Sequence, residues 1–242
     1  MPSQLPLALL TGGSSSERDV ALASAANVAR ILEKRFRVSV FDFPKDIERF
    51  VAMRKKFAAA IPICHGKGGE DGVVQGFLKM LGVPFIFSDV AAHAIGLNKA
   101  WTKMLVAEAG IRVPPSRTVS KKDHVIFKSA CAIKPIDGGS SIGVTIAKDS
   151  RAFAKGLRAA FQQSDKVLIE KFVCGEEYTV TVIDEKKKSI ALPVIAIKPK
   201  KEFFDYASKY EDGFVEEICP AKISVRLARA LQRRKPYQTI KT

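Results

Sequence analysis

The sequence predicts an α/β fold in which a parallel-sheet unit is followed by an α+β unit. Three observations carry that reading. Over the first hundred residues short apolar runs alternate with helical stretches, the pattern of buried parallel strands joined by helical crossovers. After Cys131 the order changes to strand, glycine-serine loop, strand, helix, strand and hairpin. Two glycine-rich segments, His65-Gly66-Lys67-Gly68-Gly69-Glu70-Asp71-Gly72 and Lys134-Pro135-Ile136-Asp137-Gly138-Gly139-Ser140-Ser141-Ile142-Gly143-Val144, each follow an apolar run that reads as a strand.

Taken in order, residues 5–10 read as a strand, 18–34 as a helix, 38–42 as a strand, and the next stretch as basic and amphipathic. A strand over 58–63 and a helix over 72–81 follow. Loops that meet substrate in such a sheet lie at the strand C-terminal ends. Residues 11–17 and 65–71 therefore share one edge, each opening into a helix whose N-terminus favours anions. After a short strand at 83–85, the second unit begins near Asn98 with a helix over 99–109, stopped by Gly110 and Pro114-Pro115. Beyond Cys131 come a strand at 142–146, a helix at 151–162, a strand at 167–170 and a hairpin over 178–197 turning at 184–188. Residues 198–213 are charged and aromatic with no period and read as a long functional loop. Ile223, Leu227, Ala230 and Leu231 are spaced as one helix face. The expected division is residues 1–97, 98–185 and 186–242.

With 242 residues, 47% of them hydrophobic, the chain can bury a substantial core and exceeds one ordinary domain. Cys64, Cys131, Cys174 and Cys219 lie far apart with no CxxC pair and no nearby histidines, which argues against a zinc site or a disulfide framework and for reduced thiols in the cytosol. The apolar run at 5–10 lacks a basic lead-in and is shorter than the roughly 20 residues of a membrane span. A cytoplasmic, soluble protein that does not bind a membrane is expected. The formal charge of +15 attracts polyanions, but the lysines are dispersed without interleaved aromatics, so phosphate-bearing small molecules are favoured over nucleic acid.

The Gly138-Gly139-Ser140-Ser141 loop offers successive backbone N–H groups and two hydroxyls to phosphates, with the Lys134 ammonium on the preceding strand. The same residues also suit an ordinary hairpin turn, and the Walker spacing is absent. Glu170, Glu176 and Glu177 suit a ribose or an adenine amino group, or stand as solvated carboxylates. His65, after a buried strand and before Glu70 and Asp71, is placed to bind or polarise a substrate, or simply to pack. Lys209 and Tyr210, near the end of the long loop, are placed to close over a nucleotide. His93 and His124 have no evident partner.

In joint order these segments resemble the D-alanine–D-alanine ligases of the ATP-grasp superfamily. The resemblance spans residues 5–222. It rests on Gly12-Gly13-Ser14-Ser15-Ser16-Glu17-Arg18-Asp19-Val20, on His65 to Gly72 with Gln75-Gly76, and on Asn98-Lys99 with Lys103. It continues through Lys134 to Val144, Glu170-Lys171-Phe172, Gly175 to Tyr178, Leu192-Pro193, Phe204-Asp205-Tyr206, Lys209-Tyr210 and Pro220-Ala221. It implies ATP-driven joining of two D-alanines for peptidoglycan precursors, through an acyl phosphate. By resemblance, Glu17 holds the first substrate's ammonium, Ser140 and Tyr210 complete a catalytic hydrogen-bonded group with it, and His65 sits beside the first D-alanine. Lys99, Lys134 and Lys209 contact phosphates, Ser140 and Ser141 belong to the phosphate loop, and Glu170, Phe172 and Glu177 line the adenine and ribose pocket. Tyr210 also favours a D-alanine ligase over ligases that form the D-alanine–D-lactate ester. A homodimer is compatible with the family.

The family's magnesium ions need hard oxygen ligands. In the family those ligands, together with the arginine that meets the developing oxyanion, come from an Arg and Asp strand and a Glu-x-Asn segment, yet no Asp or Glu follows Glu217. The resemblance therefore implies Mg²⁺ but assigns it no residue here, and the last ATP-grasp part is expected to be incomplete. A shortened or frameshifted reading of a longer gene is the expectation for that ending. Little or no activity is the expectation, with a non-catalytic ATP- and D-alanine-binding remnant as the alternative. Smaller departures are Asn98 for an aspartate, Ala21 for a serine, and Phe87 and Asp89 where glycines are common.

Overall fold

A computed structural model describes residues 5–185, 188–199 and 215–233. Strands β1 (Pro6–Gly12), β2 (Arg37–Phe43) and β3 (Ala59–Pro62) form a parallel sheet in the order β2-β1-β3. β1 is covered on both sides, which is why it reads as an unbroken apolar run. Ala8 and Leu10 face a cluster with Phe41, Phe43, Phe50, Val74 and Leu78, whereas Leu7 and Leu9 face Ala25, Ala29 and Ile61. Helix α1 (Arg18–Leu32) presents Ala21, Ala25 and Ala29 as its buried stripe, small side chains that let it lie close on the sheet. Phe50 of α2 (Ile47–Met53) packs edge to face on Phe41 and Phe43, with ring centroids 5.3 and 5.6 Å apart. The basic stretch is thus a helix that packs Ile47, Phe50 and Met53 on the core, with cations following in a 3₁₀ turn at Arg54–Lys56.

Helix α3 (Val73–Met80) follows the glycine-rich segment. The expected strand at 83–85 reduces to a single parallel bridge between Phe85 and Ala60. Helix α4 (Val90–Leu97) was not expected, because its residues are apolar all round and carry no period. Its N-cap is Asp89, whose side chain accepts from the Val90 N–H at 2.7 Å. Helix α5 (Lys99–Glu108) begins at Asn98, whose Oδ1 accepts from the N–H groups of Ala100 and Trp101.

The second unit is an antiparallel sheet in the order β4-β7-β5-β6, from β4 (Ser116–Ser120), β5 (Cys131–Pro135), β6 (Thr145–Ala147) and β7 (Lys166–Lys171). Helix α6 (Ser150–Gln163) covers it, with Phe153 and Ala160 packed against Ile133, Val167 and Ile169. The strand expected at 142–146 starts only at Thr145, because residues 139–144 are held in turns by Ile142 N–H to Gly139 O and Val144 N–H to Ser141 O.

The expected hairpin is nested. β8 (Glu177–Thr179) pairs with β11 (Ile195–Pro199), and β9 (Val182–Glu185) pairs with β10 (Lys188–Ala191). β11 also pairs with β12 (Val215–Ile218), in the order β12-β11-β8. Lys198 and Pro199 are therefore strand residues opposite Glu216 and Val215, not the start of a loop. Helix α7 (Val225–Arg233) contains Leu227, Ala230 and Leu231, while Ile223 precedes it. Among the described residues no helix is long and apolar enough to cross a membrane.

Candidate functional site

The loops after β1 and β3 and the loop after β5 converge on Glu17. Its side chain is buried, and it accepts a hydrogen bond from the Ser140 hydroxyl. Two glycines make room for it. A Cβ on Gly66 would lie 2.6 Å from Glu17 Oε2, and one on Gly139 would lie 2.8 Å from that oxygen. Ser15 ties the two N-terminal loops together, donating from Oγ to the His65 carbonyl at 2.7 Å.

His65 is held against Glu70, with Nδ1 3.5 Å from Oε1, while its Nε2 is buried without a hydrogen-bond partner. Glu70 also accepts from the Gly66 N–H at 2.8 Å, and Asp71 from the Gly68 N–H at 2.7 Å. The two carboxylates behind His65 thus shape their own loop.

The glycine-serine loop is strained where it meets Glu17. Ser140 and Ser141 take φ of 49° and 58°, the left-handed region that costs a side-chain-bearing residue about 1–3 kcal/mol. The surroundings hold them there. Lys99 donates from its backbone to Ile136 O at 2.9 Å and from Nζ to Gly138 O, and Lys67 lies 3.5 Å from Asp137.

A cavity of about 670 Å³ is lined by Lys99, Lys134, Ser140, Ser141 and Glu177, with Glu70 and His93 on its wall. A second, of about 610 Å³, is lined by Glu170, Phe172, Cys174 and again Lys134 and Glu177. Lys134 and Glu177 therefore border both. Glu17 instead lines a smaller cleft of about 240 Å³ with Ser14, Ser15, Ser16 and Gly139. Lys209 and Tyr210 lie outside the described residues.

Glu170 is mostly buried, with a side chain 12% exposed, and accepts from Lys134 Nζ at 2.8 Å and from Lys103 Nζ. Burial alone would raise its pKa, but the two lysines outweigh that effect and hold the carboxyl below its ordinary value. Sequence reasoning assigned Lys103 no role, and it missed His93, whose Nε2 is also buried without a partner. His93 sits on the unexpected α4, and Lys103 is 67 positions from Glu170, so neither neighbourhood is visible in local sequence.

A family model described as D-ala D-ala ligase C-terminus matches residues 94–241. The D-alanine–D-alanine ligase of Syntrophobacter fumaroxidans is 36% identical to this chain, over 98% of the chain and 80% of its own length. This chain belongs to the D-alanine–D-alanine ligase family. The ligase of Geobacter sulfurreducens is 35% identical over 93% of the chain and 72% of its own length. Among solved structures, a D-alanine–D-alanine ligase from Bacillus anthracis matches with a TM-score of 0.79 at 29% identity, covering 95% of this chain and 76% of its own. A Bacillus anthracis ligase structure complexed with ATP matches at 0.77 and 25% identity, covering 95% of this chain and 75% of its own. A D-Ala:D-Ser ligase from Enterococcus faecalis, at 0.74 and 24% identity over 96% of this chain and 81% of its own, shares the fold. The expected α/β architecture, a parallel sheet followed by an ATP-grasp part, is the architecture of this family.

Proposed function

We propose that this chain binds ATP and D-alanine and joins two D-alanines through an acyl phosphate, supplying the dipeptide of peptidoglycan precursors. One observation carries the reading: the buried Glu17 carboxylate accepts from Ser140, fastening the first substrate loop to the strained loop on the lysine-lined cavity.

In the proposed reaction the carboxylate of the first D-alanine attacks the γ-phosphorus, and ADP leaves with the electron pair of the broken P–O bond. The amine of the second D-alanine then attacks the acyl carbonyl carbon. Phosphate leaves with the C–O pair, and the new amide nitrogen loses a proton. Glu17 holds the first ammonium, His65 flanks the first D-alanine, and Ser140 and Tyr210 orient Glu17. Lys99, Lys134 and Lys209 neutralise phosphate charge, while Glu170, Phe172 and Glu177 enclose adenine and ribose. Such chemistry rests on positioning and charge neutralisation rather than on a protein nucleophile. Among the described residues no three His, Cys, Asp or Glu side chains group as metal ligands. The free state of all four cysteines favours a cytosolic setting.

The test is inorganic phosphate release by the full chain with ATP and Mg²⁺, with and without D-alanine, alongside detection of the dipeptide. Release that depends on D-alanine and matches the dipeptide formed is expected, at a low rate because no residue is assigned to Mg²⁺. Nucleotide binding without that release would reject ligation in favour of a non-catalytic ATP- and D-alanine-binding protein.

A further inference from the structure

The two oxygens of Glu170 are taken by different lysines, Oε1 by Lys134 and Oε2 by Lys103. Lys103 is itself fixed, donating also to the Pro114 carbonyl at 2.7 Å, and its side chain is 16% exposed. It lines neither large cavity, whereas Lys134 lines both. Charge counting gives the consequence. A lone Lys134–Glu170 pair is neutral and would spend the lysine's charge internally; with Lys103 the cluster carries one net positive charge. Because Lys103 engages the far oxygen, the surplus is available at Lys134, where the two cavities meet.

We infer that Lys103 is a positioning residue for phosphate binding: it anchors Glu170, so that Lys134 is held at the junction of the cavities with charge left for a polyphosphate. This rests on the proposed reading that a nucleotide occupies those cavities. Lys103 lines neither of those cavities, so its effect passes through Glu170 to Lys134.

The test is displacement of a fluorescent nucleotide from the full chain by ATP and, separately, by adenosine. It compares wild type, Lys103→Gln, Lys103→Arg, Lys134→Gln and the Lys103→Gln/Lys134→Gln double variant, with circular dichroism confirming the fold. Lys103→Gln is expected to weaken ATP about tenfold and adenosine by less than about twofold, with Lys103→Arg restoring ATP to within about threefold. On the Lys134→Gln background, Lys103→Gln should add less than about twofold, the signature of two residues acting as one unit. Equal losses for ATP and adenosine, full additivity with Lys134→Gln, or a Lys103→Gln chain that does not fold would each overturn the inference, because the lysine's role would then be general or structural. If wild type binds ATP and Lys103→Gln binds it as well, the inference alone fails. If wild type binds neither probe, the nucleotide site itself fails and the inference with it.

Discussion

The Ser140 hydroxyl donates to the Glu17 carboxylate, joining two loops 123 positions apart in the chain. Ser140 occupies a left-handed backbone conformation to do so, and Glu17 is only 5% exposed. Removing the donor leaves a buried carboxylate short of a partner, which costs about 1–3 kcal/mol. Ser140→Ala should lose stability of that size in urea denaturation and slow D-alanine-dependent phosphate release by about tenfold or more. Unchanged values for both would mean that Glu17 is held by something other than this contact.

Gly139 tests the same carboxylate by space rather than by donor. Its backbone has no positive φ, yet a Cβ there would lie 2.8 and 2.9 Å from the two Glu17 oxygens. Gly139→Ala should displace Glu17 and raise the D-alanine concentration for half-maximal rate about tenfold, or 1.4 kcal/mol. Gly76→Ala is the control. A Cβ on this α3 glycine would meet nothing closer than Val90 Cγ2 of α4, at 3.9 Å, so the variant should keep the rate and gain about 0.5–1 kcal/mol of helix stability. Equal behaviour of the two variants in the kinetic assay would refute the steric account.

Glu170 gives a pH dependence with a definite sign. Its folded pKa is lowered below 4.5 by Lys103 and Lys134 against the opposing effect of burial. Its stabilisation is therefore fully present above the ordinary carboxylate value and disappears as pH falls through the lower, folded one. Melting temperatures for wild type and Glu170→Gln should differ most near neutrality and converge as pH falls below the ordinary carboxylate range. A gap that stays constant into acid would show that the charge on Glu170 is not what stabilises the fold.

What could be read from the sequence follows from how local the cause is. β1 was legible because Leu7, Leu9 and Leu10, with Ala8 between, are buried on both faces, and α6 because its apolar residues keep a helical period. The end of the glycine-serine loop was not, since Ile142 and Val144 look strand-like yet sit in turns whose hydrogen bonds go back to Gly139 and Ser141. Lys198 and Pro199 look like loop residues and are strand only because Glu216 and Val215 lie opposite. The glycines that admit Glu17 were visible as a motif. Which side chain they make room for depends on three loops meeting, and only the fold supplies that.

Phe87 stands where the family resemblance leads one to expect a glycine, and its φ of 83° gives the reason. A side chain in that region costs about 1–3 kcal/mol, and the ring is 59% exposed, so little burial offsets the strain. Phe87→Gly relieves the strain while adding freedom to the unfolded chain, for a net gain of about 1 kcal/mol. A rise in melting temperature of roughly 2–4 °C is expected for a chain of this length. A drop would mean that the exposed ring contributes packing that outweighs its backbone strain.

The cysteines offer a check on the second cavity without any assay of turnover. Burial, with a smaller contribution from Asp42, pushes the Cys64 thiol up to about 11, and burial also raises Cys131. Cys174 and Cys219 are exposed, and Cys174 lines the cavity with Glu170 and Phe172. Because the thiolate is the reacting form, an alkylating agent near pH 8 should modify Cys174 and Cys219 in the native chain and reach Cys64 and Cys131 only on unfolding. ATP should then slow Cys174 more than Cys219, read peptide by peptide in a mass spectrometer. Equal rates at Cys174 with and without saturating ATP would place the nucleotide away from Phe172 and remove Glu170 and Glu177 from the adenine and ribose pocket.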